Sequence, residues 1–193
     1  MDESRSRRLF SVGHSTHALD DFAALVRRHG VETVVDVRSH PASRFAPEFS
    51  REFLARKLPE HGLQYVFLGE RLGGRPRSPD QYDETGRALY YKMADDPYFL
   101  QGIELIEDHL GSTTMVLMCS EGKPTECHRH LLIERVLSQR SISVTHILPD
   151  GTTTELKVPT HSEPSLFDPL EDPKWKSVRS VLPSETQRAF SKH

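Results

Sequence analysis

Five short apolar runs, each closed by polar residues and separated by helix-length segments, constrain this chain more than any other feature. They are LFSV (9–12), VETVVDV (31–37), LQYVFLG (63–69), TTMVLMC (113–119) and ISVTHIL (142–148). Short runs of this composition read as strands, and VETVVDV has the near-continuous apolar text of a strand buried on both faces of a parallel sheet. Parallel neighbours need a crossover, normally a helix. The intervening text supplies it. Asp20 and Asp21 open a segment with Phe22, Leu25 and Val26 on one face, and Arg27, Arg28 and His29 close it before Gly30. Such an acidic start and basic end complement the helix dipole. Phe53, Leu54 and Leu58 suggest a second helix, and Phe99, Ile103, Ile106 and Leu110 form another helical face. Residues 127–139 predict one more, with Thr125 as N-cap and Cys127 in the first turn. The expected fold is therefore α/β: a single domain with a mainly parallel sheet of about five strands flanked by helices, a Rossmann-like three-layer sandwich.

The 193 residues fit one such domain at 9–158, with an N-terminal extension at 1–8 and a C-terminal tail at 159–193. The tail is rich in Pro and Ser and lacks a period, so it is expected either to pack on the domain or to be disordered. A formal net charge of -3 gives no global basic field, so charge does not signal nucleic acid as a partner. No apolar run approaches the ~20 residues of a membrane span. The opening MDESRSRRLFSVG lacks the long apolar stretch of a secretory signal. Two cysteines do not make a disulfide framework. A cytoplasmic protein with reduced thiols is the expectation.

In open parallel sheets ligands bind beyond the carboxyl ends of the strands. The first run ends in Gly13, His14, Ser15 and Thr16, and the second in Asp36, Val37, Arg38 and Ser39. The third ends in Gly69, Glu70 and Arg71, then Gly73 and Gly74; the fourth ends in Cys119, Ser120 and Glu121. If the strands are parallel, these ends share one edge. The motifs GHS, DVRSHPAS, LGG and CSEGKPTECHR, in this order, resemble the family called domain of unknown function 488, over roughly residues 9–150. The resemblance implies an α/β sandwich from bacteria or archaea. It implies no reaction, so function has to come from the residues.

The stretch LMCSEGKPTECHRHLLIERV admits three chemistries. The first is metal binding by Cys119, Cys127 and His128 with His14 as a fourth ligand, but the C-x7-C-H spacing matches no standard zinc motif and Arg129 would repel a dication. The second is a thiol nucleophile. A phosphatase loop would place Arg six residues after Cys119, where Thr125 stands. Cys127, near a helix start and cations, is the better candidate. Cys119 reads as a small buried residue. The third is an anion pocket, with His128 and Arg129 at the positive end of a helix and forks from Arg38 and from Arg71 or Arg75. The structural alternative is a Glu121–Arg129 ion pair tying the loop to the helix.

His14 reads as an acid–base candidate or a hydrogen-bonded linchpin. Ser15 and Thr16 are expected either to cap the first helix or to hold a ligand, and no G-x-G-x-x-G is present. Asp36 either pairs with Arg38 or holds a ribose hydroxyl. Gly73 and Gly74 suit a turn or a close backbone approach to a ligand, and Glu70 is a second carboxylate. The leading expectation is an enzyme acting on a small anionic substrate: a nucleotide, nucleoside or nucleic-acid base. It would be a hydrolase or transferase of glycosyl or phosphate-containing substrates, with His14, Glu121 and Cys127 catalytic and no cofactor. The alternatives are a metal- or thiol-dependent redox protein and a non-catalytic nucleotide-sensing or DNA-maintenance module. In the tail, Glu163, Leu166 and Phe167 resemble the peptide that grips the bacterial sliding clamp; the plainer expectation is that Leu166, Phe167 and Trp175 staple the tail down.

Overall fold

The computed structural model describes residues 8–42, 46–158 and 175–182. Each apolar run forms a strand: β1 (Leu9–Gly13), β2 (Thr33–Asp36), β3 (Gln64–Phe67), β4 (Met115–Cys119) and β5 (Val144–Ile147). A short β6 (Thr153–Thr154) adds a sixth, giving the order β3-β2-β4-β1-β5-β6. The first five pair in parallel, and β6 runs antiparallel to β5. The helices are α1 (Leu19–Arg28), α2 (Arg51–Lys57), α3 (Gly69–Leu72), α4 (Tyr90–Ala94), α5 (Pro97–His109) and α6 (Arg135–Gln139).

Alternation along the strands feeds two cores. Val116 and Met118 of β4 face a cluster with Phe22 and Leu25 of α1 and Leu54 of α2. Leu117 and Cys119 face the other way, into a cluster with Phe99, Ile103 and Ile106 of α5. Side chains of a strand point alternately to its two faces, so helices cover both sides and three layers result. Among the described residues no helix is long and apolar enough to cross a membrane.

Strand order fixes where a ligand can sit. The chain leaves β1 toward β2 on one side, and leaves the adjacent β4 toward β5 on the other. This is a topological switch point, where the loops diverge and open a crevice. Gly13 and Cys119 are register partners at its floor. A Cβ on Gly13 would lie 1.9 Å from the Glu121 carbonyl oxygen, so only glycine lets the two loops meet. Gly13→Ala is expected to cost about 3 kcal/mol through this backbone collision, read as a lower urea midpoint at unchanged m-value.

Two local expectations are corrected. Pro124–Glu126 is a 3-10 turn, and Cys127 is extended (φ -118°, ψ 145°), so Thr125 is not an N-cap and Cys127 precedes the helix. Pro124 starts the tight turn and the helix begins afresh beyond it: the Cys127 carbonyl accepts from the amides of His130 and Leu131. Arg129–Glu134 is a π-helical segment running into α6. Similarly, Ala18 flanks α1 and makes no side-chain cap, so neither Ser15 nor Thr16 caps it. Ser15 instead adopts φ 48° in the loop, where its amide bonds the Ser120 carbonyl.

Part of the tail returns to the domain. Trp175 is buried in the α5-side core, its indole N–H donates to the Leu131 carbonyl, and the Arg135 guanidinium lies 4.0 Å over its ring. Glu163, Leu166 and Phe167 lie outside the described residues.

Candidate active site

A cleft of about 320 Å³ opens at the carboxyl edge of the sheet. Arg38, Ser39 and His40 enter it after β2, and Cys119, Ser120 and Glu121 after β4. Cys127 and His128 enter before the last helix, Gly74 and Arg75 from the long loop, and Tyr90 from α4. Residues 177–182 supply the remaining wall.

Two sulfurs and an imidazole meet in this cleft. Cys119 and Cys127 are unbridged and buried. His128 Nδ1 lies 3.8 Å from Cys119 Sγ and 3.6 Å from Cys127 Sγ. Its Nε2 is 2.9 Å from the Val37 carbonyl, which can only accept, so Nε2 carries a hydrogen. A Cβ on Gly74 would lie 2.8 Å from the His128 ring, so the glycine lets the loop cover that imidazole. The two thiols are driven apart. The hydrogen bond to Cys127, with burial, pushes Cys119 well up. Burial pushes Cys127 up as well, but the bond from Cys119 and the charges of His128 and Arg129 outweigh it and hold Cys127 well below the thiol range. Arg129 donates to Cys127 Sγ, which favours negative charge on that sulfur.

Arg129 is the cation behind Cys127. It is fully buried, and its Nε donates to Cys127 Sγ at 3.3 Å. Its Nη2 donates to the Glu121 carbonyl at 2.6 Å and its Nη1 to Ser11 Oγ at 3.2 Å. The expected Glu121–Arg129 ion pair does not form: Arg129 takes the main-chain oxygen, while the half-exposed Glu121 carboxylate turns outward to Arg179 at 3.2 Å. Nor does Arg129 line the cleft. Among the described residues no carboxylate pairs with it directly. Glu134 is linked to it through Ser11 and His146. A guanidinium only donates, so Ser11 Oγ accepts from it, and the same hydroxyl shares a hydrogen bond of 2.6 Å with His146 Nδ1. His146 Nε2 lies 2.8 Å from the Glu134 carboxylate. His130 Nδ1 lies 2.6 Å from the same carboxylate. Burial pushes the Glu134 carboxyl up, but the bonds from His130 and His146 outweigh it and hold it below its usual range.

Arg38 is presented differently. Asp36 is fully buried and accepts from Arg38 Nε at 2.9 Å, Nη2 at 2.6 Å and the Arg38 amide at 3.1 Å. Tyr65 Oη donates to Asp36 at 2.8 Å, so this carboxylate holds Arg38 rather than standing free for a ribose. The remaining Nη1 faces His14 Nε2 at 3.2 Å. That nitrogen must accept, which leaves the hydrogen on Nδ1 toward the Ser15 carbonyl. His14 stacks on Phe49 at 4.2 Å. Burial, then the Arg38 charge, lowers its pKa to about 4, so it is neutral at pH 7. Unfolding restores an imidazole that binds a proton near 6.5, whereas the fold resists protonation until about 4. Stability should therefore be complete above 6.5 and fall by roughly 3 kcal/mol as the pH drops through this window. His14→Gln is expected to flatten that dependence, as urea titrations at pH 7 and 4.5 would show.

The remaining sequence candidates are dispersed. Arg71 lies 4.7 Å over the Tyr98 ring, outside this cleft, and Arg75 lines it instead. Ser15 and Thr16 do not line it, and Gly73 lies behind Ser39. Glu70 does not line the cleft that Glu121 lines and instead faces Arg51 at 3.8 Å. The four-ligand metal set is not assembled, because His14 is engaged by Arg38 and Ser120. Among the described residues two donor trios remain, Cys119–Cys127–His128 and His130–Glu134–His146. The separations of 2.6 and 2.8 Å in the second are shorter than the ~3.3 Å that a tetrahedral ion ~2.0 Å from each nitrogen and oxygen would impose. Sequence reading missed Tyr90, Arg179, Ser11, His146 and Glu134.

Residues 18–136 match the family described as Domain of unknown function DUF488. The chain belongs to this family. The DUF488 match contains Arg38, both cysteines, His128 and Arg129; it leaves out β1 with His14, and the wall at 177–182. No curated protein and no solved structure matches the chain.

Proposed function

We propose that this DUF488 protein is an enzyme that acts on a small anionic substrate, a nucleotide, nucleoside or nucleic-acid base, with Cys127 as nucleophile. One observation carries the reading: a cysteine sulfur that accepts from a fully buried guanidinium sits in a cleft whose lining includes Arg38, Arg75 and Arg179. A thiolate in such a setting attacks an electrophilic carbon or phosphorus. An S–C or S–P bond forms, and the leaving group departs with the bonding pair and takes a proton from water in the open cleft. Water or an acceptor then displaces the sulfur, gives its proton to the Glu121 carboxylate at the rim, which passes it to solvent, and the thiolate is restored. Such a cycle transfers or hydrolyses a glycosyl or phosphoryl group. His14 positions Arg38 from behind. Two unbridged thiols suit a reducing compartment such as the cytoplasm.

Thermal shift against nucleotides, nucleosides and sugar phosphates tests this. A ligand present at about a hundred times its Kd stabilises the fold by about 2.7 kcal/mol. The shift is expected with one of these classes and should be lost in Arg75→Ala, whose side chain is exposed. No shift with any class, or one that Arg75→Ala leaves intact, contradicts the anionic cleft.

A second reading has its own observation. Zinc at ~2.3 Å from sulfur and ~2.0–2.1 Å from nitrogen would set these donors about 3.5 Å apart in a tetrahedron. The Cys–His128 separations of 3.8 and 3.6 Å are close to that, and the Val37 carbonyl fixes the imidazole as outer partners of metal ligands do. Metal content of the gently purified protein decides it. One equivalent, lost in His128→Ala, supports a soft divalent ion with an open position on the cleft; a trace amount rejects it.

A further inference from the structure

We infer that the segment 175–182 completes the binding site, and that Arg179 selects ligands for negative charge. This rests on the cleft reading above and deepens it. The segment lies beyond the family match at 18–136, yet it is zipped onto the loop before α4. The Ser177 amide donates to the Ala88 carbonyl and its Oγ accepts from the Ala88 amide. The Trp175 carbonyl accepts from the Tyr90 amide, and the Val181 amide donates to the Gly86 carbonyl. Lys176 pairs with Asp83 at 2.9 Å. With Trp175 buried, these contacts fix the segment along one wall of the cleft.

At the mouth stands Arg179, 61% exposed. Its Nη2 lies 3.2 Å from Glu121 Oε2 and 3.7 Å from Glu126 Oε2. Both glutamates also line the cleft. Ion pairs this exposed are weak, so the guanidinium can leave them for an entering anion at little cost. Arg38 is unsuited to that exchange, because its fork is committed to a buried Asp36. Arg179 is thus the cation that an incoming negative group meets on this wall, and its release from Glu121 frees a carboxylate of the cleft lining.

Iodoacetate and iodoacetamide test this, being alike in size and differing by one negative charge. Each alkylates a thiolate by forming S–C and expelling iodide, so the substrate need not be known. Rates at Cys127 are followed by peptide mass spectrometry in the full chain and in R179A, R179K and R179E. The iodoacetate-to-iodoacetamide ratio is expected to fall about three- to tenfold in R179A, further in R179E, and to persist in R179K. The iodoacetamide rate should stay within about twofold, since charge alone is being read. A ratio unmoved by R179A and R179E overturns the role of Arg179 while leaving the chemistry of Cys127 standing. A ratio lost equally in R179K overturns charge selection. Failure of native Cys127 to react with either reagent overturns the proposed function itself, and this inference with it.

Discussion

Arg129→Met is expected to destabilise the protein by about 3–5 kcal/mol, the range seen when one partner of a buried charge pair is removed. Methionine fills much of the volume but donates nothing. The Glu121 carbonyl, Ser11 Oγ and Cys127 Sγ each lose a donor inside the protein. The pH dependence should change as well. A thiol whose folded pKa is depressed contributes stability above its unfolded pKa of about 8.5, and that contribution is lost as the pH falls through the folded value. In Arg129→Met this rise toward alkaline pH should shrink, because Cys127 loses a cation that holds it down. Urea unfolding from pH 6 to 9 checks both effects. An unchanged midpoint and slope would mean that the buried guanidinium does not hold the loop or the thiolate.

Asp36→Ala should cost a similar 3–5 kcal/mol, because it leaves the 5% exposed Arg38 without its buried acid and deprives Tyr65 of its acceptor. Its effect on the site should be larger than its effect on the fold suggests. Arg38 reaches the cleft only because three of its donors are tied behind it. The double variant Asp36→Ala/Arg38→Met should recover part of the stability, since no unpaired charge remains buried. It should recover none of the ligand shift. Recovery of binding in the double variant would show that Arg38 is merely structural.

The fold was legible because strands buried on both faces leave long apolar runs, as 31–37 and 113–119 do, and such strands keep their register by burial. The location of the site was legible for the same reason: parallel strands gather their polar ends on one edge. The pairing inside the site was not. Arg129 and Glu121 look like partners in sequence, but partner choice depends on depth, and one is fully buried while the other is half exposed. The bonds through Ser11, His146 and Glu134 did leave a trace. A histidine inside VTHI and a glutamate inside LLIERV interrupt apolar text, and such residues are buried only when paired. Nothing local marks Arg179, which reaches the cleft from a segment without periodicity. The break of the helix at Cys127 followed from Pro124, and weighting that proline above Thr125 would have found it.

The most direct measurement of the central claim is the pH profile of Cys127 alkylation by iodoacetamide in the native chain, resolved from Cys119 by peptide mass spectrometry. The account expects Cys127 to react first, with an apparent pKa well below the ordinary thiol value of about 8.5, and expects that pKa to rise in Arg129→Met. An apparent pKa at or above 8.5 for Cys127, or preferential reaction at Cys119, would contradict it.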